Sequence, residues 1–139
     1  MRSARLIPLL FLLAASGPAP LHIIVTEAGG RLTAKVHEQL WFGLPSSLTP
    51  CVHDVTLQRK ADEKVIWRTV VDSQRRCRAL KTFEIGRAPP GFRDEVSLSI
   101  VLSKGDYRLT ADGVGFGTRD FTLPLNPEAR SGPRKVGGD

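Results

Sequence analysis

Apolar and polar residues alternate along most of this chain in short runs separated by glycine, proline or polar clusters; no other feature restricts its fold as much. The pattern is clearest near the C-terminus. Val96, Leu98, Ile100 and Leu102 fall on one face, with Ser97 and Ser99 on the other. After a corner at Ser103–Asp106, Tyr107, Leu109 and Ala111 alternate with Arg108, Thr110 and Asp112. A glycine-rich run, Asp112-Gly113-Val114-Gly115-Phe116-Gly117, then leads into Thr118–Leu123, which reads as the return arm of a hairpin with a flexible tip. A side-chain period of two belongs to strands with one buried face.

The same period recurs upstream. Leu21–Thr26 is β-branched and ends at a Gly29-Gly30 turn; in Arg31–His37 it places Leu32, Ala34 and Val36 inward, and His37 with Arg31, Thr33 and Lys35 on the wet face. Val52–Arg59, with Val55 and Leu57 inward, and Lys64–Val71 form a hairpin around Lys60–Glu63. In its second arm Val65, Trp67 and Val71 share one face, and Ile66 and Val70 the other. Cys77–Ile85 gives a further strand with Cys77, Ala79, Phe83 and Ile85 together, whereas Gly86–Glu95 holds Pro89-Pro90 and is expected to be loop. No helical period extends over a useful length. The expectation is an all-β chain, an antiparallel β-sandwich of about seven or eight strands.

Size and composition agree with one such domain. The chain has 139 residues, and its 13 glycines and 10 prolines suit many short elements joined by turns. Met1–Ser16 has the three parts of a secretory signal: Arg2 and Arg5, the apolar run Leu6–Leu13, and small residues at Ala14-Ala15-Ser16. The apolar run is about half the ~20 residues that span a bilayer. Gly17 stands where a lipoprotein leader would place cysteine. A free protein in the periplasm or outside the cell is therefore expected, not membrane-anchored, with the sandwich over 21–123 and a disordered tail over 124–139. The leader holds two of the positive charges behind the net +6, which leaves the remainder mildly basic.

Cys51 and Cys77 are the only cysteines, and in an exported chain a disulfide is their default state. They lack the C-x-x-C spacing of a reactive or metal-bound pair.

The corner Leu102-Ser103-Lys104-Gly105-Asp106-Tyr107-Arg108-Leu109 resembles the Leu-x-x-Gly-x-Tyr corner of immunoglobulin-like and fibronectin type III-like domains, many of them in exported bacterial proteins. The resemblance implies that the Tyr107 hydroxyl turns back onto backbone while its ring packs, and that Gly105 permits the tight approach. Antibody-type domains carry a cysteine on the strand of this tyrosine. Here Leu109 occupies that strand and both cysteines lie earlier, so adhesion functions of antibody-like domains are not implied.

The residues argue against catalysis and cofactors. There is no Gly-x-Ser-x-Gly elbow, and the glycine run at 113–117 precedes a strand, not the helix a phosphate loop needs. His22, His37 and His53 lack metal-ligand spacing, although His37, His53 and Asp54 are candidates to meet; no metal and no cofactor is expected. Arg75, Arg76 and Arg78 beside Lys81 form a basic cluster without interleaved aromatics, and export argues against nucleic acid.

The segment Gln39–Pro50 has neither period and is apolar, with Trp41, Phe42 and Leu44 at its centre. Loops of this kind carry specificity in sandwich proteins. Trp41, Phe42 and Leu44 are the first candidates for contacting a protein partner, with Phe92 and Phe116 as weaker ones beside glycines. The expected function is a non-catalytic interaction domain in the cell envelope or outside the cell. One alternative is a secreted proteinase inhibitor of immunoglobulin-like fold; the chagasin family also uses loops at one sandwich end, but its Asn-Pro-Thr-Thr-Gly motif is missing. The other is a carbohydrate-binding module, which needs Trp41 and Trp67 exposed together.

Overall fold

The computed structural model describes residues 20–39, 48–72, 76–97 and 102–125. These form nine strands: β1 (Leu21–Ala28), β2 (Arg31–Glu38), β3 (Cys51–Arg59), β4 (Lys64–Val71), β5 (Arg78–Ala79), β6 (Thr82–Glu84), β7 (Phe92–Ser97), β8 (Gly105–Gly113) and β9 (Phe116–Leu123). Two antiparallel sheets result, one of three strands in the order β1-β2-β6 and one of six in the order β7-β4-β3-β8-β9, with β5 paired to the start of β3. Their facing surfaces enclose one core, to which both sheets contribute: Ile23, Ala34, Val36 and Phe83 from the first, Val52, Val55, Leu57, Trp67, Leu109 and Ala111 from the second. The chain is thus an all-β sandwich, as its alternation implies.

Two β-bulges change the inward set. Leu57 pairs with Trp67 and Gln58 with Val65, so Ile66 is an extra residue opposite β3. A bulge reverses the phase of alternation. Ile66 and Trp67 are therefore buried side by side, and Val65, which simple alternation groups with Trp67, faces solvent. A second shift, between Val52 and Asp54, turns His53 outward and buries Val52 with Val55 and Leu57.

Cys77–Ile85 is not one strand. Arg78–Ala79 pairs with β3, after which the chain crosses between sheets at Leu80–Lys81, and Thr82–Glu84 pairs with β2. Two backbone bonds hold the crossing, Leu80 N to Pro50 O at 3.0 Å and Val36 N to Lys81 O at 2.8 Å. Ala79 is consequently exposed, while Leu80, Phe83 and Ile85 are buried. The Pro89-Pro90 loop is also shorter than expected. Phe92 N closes a turn onto Pro89 O at 2.9 Å, and Phe92 already begins β7 on the edge of β4. Of the expected strand over Val96–Leu102, residues 98–101 lie outside the described residues, and Leu102 packs partly against the core. So does Leu125, two residues past the expected end of the domain; the expected leader over 1–16 and residues 126–139 lie outside the described residues.

At the corner the tyrosine takes the arrangement that the resemblance implies, and the glycine does not. Tyr107, 1% exposed, donates its hydroxyl hydrogen to Ser103 O at 2.7 Å, and its ring stacks on Phe121 with centroids 5.7 Å apart. A Cβ at Gly105 would meet nothing within 4 Å, so no tight approach is made there; what calls for glycine is its φ of +152°, a backbone conformation that side chains rarely adopt. Buried polar groups are paired as well: the Trp67 indole donates to Asp94 at 2.9 Å, Thr69 to Arg93 O at 3.0 Å, and Arg68 holds the buried Asp54 carboxylate.

Exposed ion pairs brace the hairpins at the corner end. Arg59 binds Asp62 across the β3–β4 turn, and Arg108 and Lys60 both bind Asp120. The hydrogen bond from Arg59, seconded by the Lys64 amide, lowers the Asp62 carboxyl to about 2. Arg108 first, and Lys60 next, push Asp120 lower still. An unfolded aspartate titrates near ~3.9, so below about pH 4 the unfolded chain takes up protons that these carboxylates refuse. Their contribution to stability is present above about pH 4 and is lost as the pH falls through the folded values. A carbon-13 carboxyl titration should place the Asp62 midpoint at about 2, with Asp120 still ionised at that pH. A midpoint at or above about 3.5 for Asp62 would show that the Arg59 pair does not persist in solution.

Candidate functional site

One end of the sandwich gathers the start of β1, the end of β2, the start of β3 and the β8–β9 tip. Gln39 N donates to Pro20 O at 2.9 Å, which fixes the point where the chain leaves β2; it re-enters at Leu48 and passes the buried Pro50 into β3. Residues 40–47, and with them Trp41, Phe42 and Leu44, lie outside the described residues.

The β8–β9 tip is clamped at this end, in contrast to the flexible tip expected from its glycines. Val114 N donates to Cys51 O at 3.0 Å, and Gly113 N to Gly115 O at 2.9 Å. A Cβ at Gly113 would fall 2.1 Å from Cys51 O, and one at Gly117 would fall 2.2 Å from Leu21 O. Neither separation is sterically open to carbon, so glycine is what lets the tip settle onto the backbones of β3 and β1. Gly115 is buried within the tip, while Val114 and Phe116 point away from it, 60% and 55% exposed. Leu48, on the adjoining segment, is 67% exposed. Three large apolar side chains thus face solvent at the end where the Trp41 segment is attached.

Other expected positions resolve differently. Phe92 is 7% exposed and belongs to the core, because the strand that it opens lies against β4; it is not an anchor. Trp67 is fully buried and hydrogen-bonded to Asp94, which removes the Trp41–Trp67 platform that the carbohydrate reading requires. Cys51 and Cys77 are disulfide-bonded, with Cα atoms 5.3 Å apart. Of the basic cluster, Arg75 lies outside the described residues, Arg76 and Lys81 are exposed, and the Arg78 guanidinium lies over the backbone of Gly91. Asp54 is held by Arg68, and among the described residues it forms no metal-holding group with His37 and His53.

The histidines instead pair as His22 with His37, directly opposite on β1 and β2. His22 Nδ1 and His37 Nε2 stand 3.1 Å apart, with the ring centroids at 4.8 Å and the planes inclined by 60°. Burial, then the neighbouring His22 and Lys35, lowers the His37 imidazole below its usual value. This pairing is readable in the sequence. In a hairpin turning at Gly29-Gly30, His22 lies as far before the turn as His37 lies after it, so any two-residue loop there sets them opposite. Among the described residues, no group of three or more histidine, cysteine, aspartate or glutamate side chains is placed to hold a metal ion.

At the corner end, a cleft of about 650 Å3 opens among Leu32, Ile85, Leu102 and Leu123. Glu27, Arg31, Glu84 and Lys104 line it with mixed charge. Comparisons with protein-family models, curated proteins and solved structures return no match.

Proposed function

We propose that this chain is an exported, non-catalytic interaction domain of immunoglobulin-like type that presents apolar side chains at one sandwich end to a protein partner. The carrying observation is the clamped β8–β9 tip, which holds Val114 and Phe116 in solvent at the sandwich end where Leu48 is also exposed. Large apolar side chains held out from a fixed backbone lose little conformational freedom when a partner covers them, which is the economy of an interface anchor. Trp41, Phe42 and Leu44 join this surface in the proposal, because the segment that carries them begins and ends at the same end of the sandwich. The tyrosine corner supports the immunoglobulin-like assignment, and the disulfide suits an oxidising compartment.

The test is a crosslinking capture from the exported fraction, run with the parent protein, with Val114→Ser/Phe116→Ser and with Trp41→Ser/Phe42→Ser, each first shown to be folded. The parent should capture a specific partner, and the tip variant should bind it at least about tenfold more weakly, as expected when an aromatic anchor is removed. Equal capture by parent and tip variant would overturn the assignment of the surface. Finding the parent only in the cytoplasmic fraction would overturn the exported reading.

A further inference from the structure

We propose that His22 and His37 form a two-imidazole binding site for a borderline divalent transition metal ion, of the class of Zn2+, Ni2+ and Cu2+, on the outer face of the three-stranded sheet. Two ligands bound to one such ion at ~2.0–2.1 Å, and subtending an angle between square-planar and tetrahedral, stand about 2.9–3.4 Å apart. His22 Nδ1 and His37 Nε2 are separated by 3.1 Å before any ion is present. The site is therefore already spaced for the ion; on binding, the proton of the N–H···N bond passes through solvent to the far nitrogen of the donor ring, both rings turn slightly so that their lone pairs converge, and two N–metal bonds replace the hydrogen bond.

Two further features favour this chemistry. First, the two histidines are held by adjacent antiparallel strands in direct register, so little backbone freedom is lost when both bind. Secondly, the rings are inclined, not stacked face to face, and the two facing nitrogens can both present lone pairs once His22 carries its proton on Nε2 and His37 on Nδ1. A neutral imidazole is the ligating form.

The charged groups on this outer face are Lys35, next but one to His37 on β2, Arg31 farther along β2, and Glu84 on β6. β1 contributes Ile24 and Thr26 beside them and no charge. Lys35 opposes a cation, and among the described residues no third protein ligand joins the pair. The remaining coordination positions are left to water or to a group brought by another molecule, which makes this an open, reversible site and not a structural one. Imidazole pairs of this kind should follow the usual order, with Cu2+ held more tightly than Zn2+.

The test uses the disulfide-bonded protein, titrated with ZnCl2 and followed by nitrogen-15 spectra of the imidazole rings and by amide spectra. Added Zn2+ should shift the ring signals of His22 and His37 together, saturating at one ion per chain, and leave His53 unmoved. His22→Gln and His37→Gln should each weaken binding by about tenfold or more, since either leaves a single ligand. His53→Gln should bind as the parent does. Unchanged amide spectra away from β1 and β2 would show that the variants remain folded, so that their loss of binding is local. The proposal is overturned if Zn2+ leaves the His22 and His37 rings unshifted, if His22→Gln binds as tightly as the parent, or if His53→Gln loses binding to the same extent.

Discussion

Removing the Cys51–Cys77 bridge, as Cys51→Ala/Cys77→Ala, should lower the unfolding free energy by about 3.5 kcal/mol, the chain-entropy value for a loop of this length. The bridge spans 26 residues of sequence. For a domain of about a hundred residues, where each kcal/mol moves the midpoint by about 4–8 °C, the melting temperature should fall by roughly 15–25 °C. The location of the bridge makes the effect more than a general one. It joins the start of β3 to the residue just before β5, a strand of two residues that immediately gives way to the crossing between sheets. Without the bridge, that crossing is held mainly by β5 and by the Leu80–Pro50 and Val36–Lys81 backbone bonds. Calorimetry of the parent and the double variant measures the loss. Because both cysteines are only half-buried, Cys51→Ser/Cys77→Ser should lose as much as the alanine pair if the effect resides in the unfolded chain. A fall of less than about 5 °C would show that the crossing is secured without the bridge.

The sandwich is legible because a period of two survives wherever a strand has one buried face. Leu32, Ala34 and Val36, or Tyr107, Leu109 and Ala111, are buried as their spacing says. Legibility fails at bulges, since a single inserted residue at Ile66 or His53 leaves the composition of a strand unchanged and inverts its phase. It fails also at Leu80–Lys81, where the chain changes sheets without a glycine or proline to mark the change. Phe92 misleads for a related reason: Gly91 and two prolines before it announce a loop, but the loop ends at Gly91, four residues before the expected end at Glu95, and the aromatic ring belongs to the core. Phe116, with glycines on both sides, has the same local signature and is exposed. What separates the two is tertiary: Phe92 opens a strand laid against β4, whereas Phe116 lies at the outermost pair of its hairpin, opposite Asp112. The histidine pair lies within reach of the sequence through the symmetry of the Gly29-Gly30 turn; strand register, not nearness to Asp54 along the chain, decides which of the three rings meet.

Gly117→Ala should be among the most destabilising single-methyl additions in the domain, costing about 3 kcal/mol, at the upper end of what overpacking usually costs. No positive φ is involved at this position, so alanine suits the local backbone and the penalty comes from proximity alone. The added methyl would lie 2.2 Å from Leu21 O and 2.8 Å from the Leu21 carbonyl carbon and Cβ. Those atoms are mainly backbone of β1 and cannot swing aside as the end of a long side chain would. Relief requires the start of β1 to withdraw from β9, which exposes Leu21, now 6% exposed, and pulls on the Gln39–Pro20 bond. Gly30→Ala is the informative comparison. Gly30 has φ +73°, and a methyl added there would meet nothing within 4 Å, so it should incur only the left-handed penalty of about 1–2 kcal/mol. From sequence alone the turn glycine looks the more demanding of the two; the structure reverses that order. Urea unfolding of both variants decides it, and a loss for Gly117→Ala no larger than that for Gly30→Ala would mean that β1 and β9 do not approach this closely. The same substitution reaches the proposed interface, because Gly117 seats the strand immediately after Phe116. Where the variant remains folded, it should capture the partner more weakly although every apolar anchor is still present, since what it alters is the position in which Phe116 is held.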